Sequence, residues 1–248
     1  MMFGPPHSLC KESPHRAMTG HLLDETAQTS EASSEIVADR LAHAIHEHKL
    51  RPGTKLSEDE AGDIYGVSRT VVRAALQRLS HDQLVTLKRN RGAFVAQPDL
   101  REAREVFEGR ALLEPRTARS AAAPADIARL QSHIELEHAA LRAGDAGRAL
   151  RLSGQFHIEI ARVAGQDTIR GFITQLVARS SLIIALYWKR RNALCESHAH
   201  HALLDAIAKH DGAAAEELMK GHLLDLLSPL DLCEAAVVPA NLKAALAG

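Results

Sequence analysis

A mostly α-helical chain, with an N-terminal winged helix-turn-helix ahead of an all-α bundle of six helices, is the architecture the sequence predicts. Three observations carry that expectation. Aromatic residues make up only 3% of the 248 residues while 46% are hydrophobic, so the core is built from Leu, Ile, Val and Ala, a mixture that suits helices better than sheets. The stretch Leu56–Ser80 holds two short helical patterns pinched around Gly66 and is followed by a strand, a basic turn and a second strand. From about residue 100 to 230, apolar residues recur at helical spacing, interrupted only by Pro, Gly, Asp or polar clusters.

Residues 1–31 mix Pro, Gly, Ser, His and Thr without periodicity and are expected to form a disordered tail. A first helix begins at Ser34, with Val37, Leu41 and Ile45 four residues apart, and ends before the turn Arg51-Pro52-Gly53. Ser57 and Glu60 form a capping box, and Gly66 is suited to end that helix. Ser68 caps the next helix, whose apolar stripe is Val72, Ala75, Leu76 and Leu79. The hairpin follows at 84–96, turning through Asn90 and Gly92. The six later segments are expected near 100–122, 125–143, 146–164, 167–188, 196–210 and 212–230, with Pro115 kinking the first. This divides the chain into a winged helix-turn-helix at 32–97, a helical domain at 98–232 and a tail at 233–248.

The net charge of −1 is uninformative, but its distribution is not. Between Val67 and Val95 stand Arg69, Arg73, Arg78, Lys88, Arg89 and Arg91 against Asp82 alone. Such a footprint fits a phosphate partner or an ordinary solvated face. Arg69, Arg73 and Gln77 share one face of a capped helix, away from its apolar stripe, and Lys88, Arg89 and Arg91 crowd the hairpin tip. Arginine grips guanine edges in bidentate fashion, and Ser and Thr suit phosphate, so cap, stripe, charge and wing together favour DNA. Three cysteines without CxxC spacing (Cys10, Cys195, Cys233) indicate a reducing, cytoplasmic setting. No uninterrupted apolar run is long enough to cross a membrane.

The segment "LRPGTKLSEDEAGDIYGVSRTVVRAALQRLSHDQLVTLKRNRGAFV" resembles the N-terminal winged helix of GntR-type bacterial transcription regulators. The resemblance implies contacts to double-stranded operator DNA from Lys55, Ser68, Arg69, Thr70 and Arg73, with Arg91 and Gly92 in the wing. Val71 and Ala74 stand where the family usually has proline and glutamate. Val71 restores a backbone N–H in the first turn, which is then available to phosphate.

Fifteen histidines make any single one weak evidence. His43, His46, His48, His198 and His201 read as surface residues. His157, His200 and His222 lie on three different amphipathic segments, where facing imidazoles build metal sites but also fill cores. The segments "FEGRALLEPRTARSAA", "FHIEIARVAG" and "HHALLDAIAKHDGAAAEELMKGHLLDLL" resemble the FCD effector-binding domain of the FadR-like branch, and six helices favour its shorter, VanR-like form. The resemblance implies a divalent metal (Zn, Ni or Mn) on His157, His200 and His222, with Ser153 where an aspartate is usual. It also implies that Arg110 faces a small carboxylate effector; from the residues alone, Arg110 equally forms a surface pair with Glu114. The implied function is a homodimeric, effector-released regulator, most often a repressor. The alternative is a metal-dependent enzyme on the three histidines, which would need a general base; Glu159 is the nearest acid in sequence but points away from His157.

Overall fold

The computed structural model describes residues 33–120, 124–188, 197–228, 230 and 246. The expected tails lie outside these residues, apart from Leu246, as do all three cysteines.

Helix α1 (33–46) opens the described chain and buries Val37, Ala38, Leu41, Ala44 and Ile45 on one face. Strand β1 (Lys55–Leu56) leads into α2 (Glu58–Tyr65) and α3 (Arg69–His81). Ser57 Oγ accepts the Glu60 N–H, and Gly66 ends α2 in the left-handed region at φ 65°. Ser68 Oγ accepts the Val71 N–H at 3.4 Å. The valine N–H is therefore engaged by the cap, which corrects the expectation that it is free for phosphate. Its side chain is buried as well.

The hairpin is β2 (Val85–Lys88) with β3 (Gly92–Val95), and β1 adds to the other side of β3, giving the antiparallel order β1-β3-β2. This third strand escaped the sequence reading, because two residues carry too little alternation to register as a strand.

Six helices follow: α4 (Leu100–Ala118), α5 (Pro124–Arg142), α6 (Ala146–Val163), α7 (Asp167–Tyr187), α8 (Ser197–Ala208) and α9 (Gly212–Leu227). Asp99, Asp145 and Asp211 cap α4, α6 and α9 by accepting a backbone N–H three residues on. Pro115 falls within the last turn of α4, which continues to Ala118. Helix α4 packs on α7, α9 and α6; α6 lies on α5 and α7; α8 bridges α5 and α9. Helix α7 has the length and hydropathy of a membrane span by composition, but 44% of that window is buried inside the fold.

Two large apolar cores and two small clusters result among the described residues. One large core is formed by α1, α3 and the sheet; the second lies inside the helical bundle around Phe156, Leu130, Ile134, Ile183 and Leu203. Ala178 and Leu182 of α7 belong to the first core, so the bundle's central helix is packed into the winged helix. Polar contacts seal the joint. Arg151 Nε pairs with Glu47 at 3.0 Å, and His48 Nε2 lies 2.9 Å from the Ser181 carbonyl oxygen. Any side chain at Gly147 would collide with the Glu47 backbone, so glycine permits this close approach.

Candidate metal centre and nucleic-acid interface

The basic helix is exposed where the sequence reading placed it, but its arginines are not idle. Arg73 forms a bidentate pair with Glu58, Nε to Oε1 at 3.0 Å and Nη2 to Oε2 at 2.7 Å, and Arg69 pairs with Asp59. Both acids belong to the first turn of α2, where they also complement its dipole. The guanidiniums keep 60% or more of their side-chain surface, so they are oriented without being hidden. Surface pairs of this kind contribute little to stability and yield readily to a phosphate or base edge. Ser68 and Thr70 sit at the same helix start, with Ser68 engaged as the cap. Lys55 on β1 lies beside the wing, and a Cβ added at Gly92 would sit 3.8 Å from its Cε. Asn90 and Gly92, both at positive φ, shape the tip that carries Arg89 and Arg91. Lys88 lies 4.9 Å above the Phe94 ring.

The second constellation lies inside the bundle, and all six helices contribute to it. His157 of α6, His200 of α8 and His222 of α9 are 2%, 0% and 3% exposed. The Nε2 atom of His222 lies 3.3 Å from Nε2 of both other rings. Behind the rings stand two buried carboxylates. Glu137 of α5 faces His200 Nδ1 at 2.9 Å, and Glu114 of α4 lies 2.7 Å from His157 Nδ1, close but off the line of a straight hydrogen bond. Arg110 closes the set from α4: Nε donates to Glu114 Oε1 at 2.6 Å, and Nη1 donates to Ser180 Oγ of α7 at 3.0 Å.

The electrostatics follow from burial. Burial opposes ionisation of Glu114, but Arg110 and His157 overcome it and hold the carboxyl well below its usual range. His157 is pushed down by burial, against the pull of Glu114, and His222 is pushed down by burial and by its two histidine neighbours. These rings are neutral at pH 7. Carboxylates stand at Nδ1 of both His157 and His200, and the Nε2 atoms of these rings face His222. One ligand nitrogen from each of His157, His200 and His222 lies within 4.8 Å of the others, so the donor set fits a cation. Ser153, one turn before His157, is buried on the same helix and lines the adjoining cavity.

That cavity has a volume of about 290 Å³. Arg110, Ser153, His157 and Ser180 line its closed end. Arg110 is therefore both paired with Glu114 and on the cavity wall, and the pair is buried rather than on the surface. Glu159 is held by Arg129 and Arg162 at 2.9 Å each, away from the histidines as expected.

Two features were missed from sequence. Glu137 was not singled out, although it falls on the apolar stripe Leu130, Ile134, Leu141 of α5, where an acid needs a buried partner. His46 and His48 are half-buried at the joint between the cores, not on an open surface. His198 and His201 are exposed as expected.

Two segments of the chain match known protein families. Residues 33–95 match bacterial regulatory proteins of the gntR family, and residues 105–225 match the FCD domain. The chain is a GntR-family regulator with an FCD domain. It is 29% identical over 171 residues to the Nta operon transcriptional regulator of Aminobacter aminovorans, covering 68% of this chain and 81% of that one. It is 24% identical over 211 residues to the HTH-type transcriptional repressor RspR of Escherichia coli, covering 82% and 90%. The structure of a GntR transcriptional regulator from Rhodococcus sp. RHA1 superposes with a TM-score of 0.71 at 26% identity, covering 79% of this chain and 98% of that one. These relatives are transcriptional regulators, not enzymes, and this GntR-family chain is a DNA-binding regulator of the same kind.

Proposed function

We propose that this GntR-family regulator is a repressor released from its operator by a small carboxylic acid bound at the three-histidine centre. The observation that carries the reading is the cavity that ends on His157 and Arg110 inside a molecule whose other half presents Arg69 and Arg73 to solvent. Residues 32–97 form the DNA-binding unit and 98–232 the effector unit. Lys55, Ser68, Arg69, Thr70, Arg73, Arg91 and Gly92 contact operator DNA, with DNA replacing Glu58 and Asp59 as the arginines' partners. A divalent ion (Zn, Ni or Mn) is held by His157, His200 and His222, and when bound it supplies positive charge for the effector's carboxylate. Its remaining positions go to water or effector because Ser153 replaces a charged ligand. Repression is supported by the name of the relative RspR, and a VanR-like form by the six helices α4–α9.

The protein acts as a homodimer in the cytoplasm, since one recognition helix covers only half of a two-fold operator. Leu112 of α4 and Phe172 of α7, 73% and 54% exposed, offer apolar surface for a partner copy. The testing experiment is an operator shift assay on DNA selected from the genome, titrated with a library of carboxylic acids. An acid that releases the operator at a saturable concentration from the parent, but not from His157→Ala, bears the proposal out. Operator binding indifferent to every acid would sink it.

A further inference from the structure

The cavity does not end within the helical bundle. Beyond the closed end its walls turn apolar, with Leu150, Ile158, Val177 and Ile184, and then it opens against the DNA-binding half. There the wall is Asp39, His43 and His46 of α1 and Asp82 at the end of α3. The two ends differ in chemistry. The inner end presents the His157 imidazole and the Arg110 guanidinium, with the hydroxyls of Ser153 and Ser180. The outer end presents the carboxylates of Asp39 and Asp82, beside Arg151, whose guanidinium is engaged with Glu47. Burial, then His43, His48 and Arg151, push His46 down to about 4, so its ring is neutral.

We infer that this outer end is a second subsite, selecting an effector that carries a hydrogen-bond donor, hydroxyl or ammonium, at the end opposite its carboxylate. The inference rests on the effector reading above and specifies what that site takes. An acid seated against His157 and Arg110 projects its far end between the apolar walls toward Asp39 and Asp82, where a donor finds acceptors and a second carboxylate meets like charge. The volume, at the small end of the range of about 300–1,000 Å³ usual for ligand pockets, limits the molecule to a small metabolite. A ligand spanning this distance touches α1 directly. Its binding free energy then depends on how the two halves sit, which is the differential contact that effector control requires.

The test is calorimetric titration of the full chain with matched straight-chain acids bearing a methyl, a hydroxyl, an ammonium or a second carboxylate at the far end. The hydroxyl or ammonium acid is expected to bind roughly tenfold or more tightly than the methyl and dicarboxylic members, the size of one well-made polar contact. Asp39→Asn, an exposed change that leaves the core intact, should abolish an ammonium preference and reduce a hydroxyl preference; His43→Ala serves as a second outer-end variant. His157→Ala should instead weaken every acid alike. If all four acids bind the parent equally, or the two outer-end variants keep its full preference, the outer subsite is refuted while the effector reading stands. If no acid binds, the effector reading fails and the subsite falls with it.

Discussion

Arg179 and Ser180 are neighbours on α7, yet they serve opposite halves of the molecule. Arg179 donates to the carbonyl of Gln83, just ahead of β2, and pairs with Glu102 at the start of α4. Ser180 accepts from Arg110 at the closed end of the cavity. The residues around them continue the alternation: Ala178 and Leu182 pack into the winged-helix core, and the Ser181 carbonyl lies against His48. One turn of α7 therefore lines the cavity on one side and holds the winged-helix half on the other.

Arg179→Ala should uncouple the two sites. Operator affinity without effector is expected to change little, while the loss of affinity on adding effector, usually roughly 1–3 kcal/mol of coupling, should shrink. Operator dissociation constants measured with and without effector give the ratio directly. A variant with the parental ratio would remove Arg179 from the coupling.

Arg73→Ala should weaken specific operator binding by roughly 1–3 kcal/mol if the guanidinium reads a base. Lys88→Ala should instead weaken all sequences alike and flatten the salt dependence. Glu58→Gln, which frees Arg73 and removes a negative charge near the DNA, should tighten non-specific binding. Arg73→Ala with parental affinity for a selected operator would displace α3 as the reading helix.

The metal proposal makes affinity depend on the groups behind the three histidines. Glu137→Gln should lower it by about 10- to 100-fold, because the His200 ring loses the carboxylate that orients it. Ser153→Asp should raise it by adding a charged ligand one turn from His157. Elemental analysis of protein purified without a histidine tag, after dialysis against competing chelator, measures both. A metal-free parent whose Ser153→Asp variant is also metal-free would leave the histidines with structural or effector-contacting roles only.

Arg110→Ala should destabilise the fold by about 3–5 kcal/mol, because it leaves Glu114 buried beside His157 without its guanidinium. Arg110→Ala with Glu114→Gln should recover part of that loss. Denaturant midpoints of the parent, the single variants and the pair complete the cycle; an additive result would mean that the ion pair contributes nothing of its own.

The metal-free protein should lose stability in mild acid. Folded His46, His157 and His222 titrate below the ordinary histidine value of 6.5, so as pH falls past 6.5 the unfolded chain takes up protons that the native state refuses. Their contribution is present above 6.5 and is lost progressively as pH falls, for His46 down to about 4. Melting temperature against pH should slope upward across that window, and His46→Leu should flatten part of it. A flat parental profile would mean the rings are protonated in the fold.

The helices and the wing were legible because they are set locally. Ser57, Ser68 and Asp99 cap by accepting an N–H three residues away, and the stripe Val72, Ala75, Leu76, Leu79 repeats at the helical period, so neighbours in sequence are sufficient. The three histidines were named from sequence through a family resemblance, since positions 65 and 22 residues apart carry no local signal of convergence. Tertiary packing alone decided what stands behind them. Glu137 and Glu114 are ordinary helix acids until α5 and α4 close on α8 and α6, and burial then makes each carboxylate the partner of an imidazole. Packing likewise turned His46 and His48 from apparent surface residues into the joint between the halves, because only the docking of α7 against α1 takes them out of water.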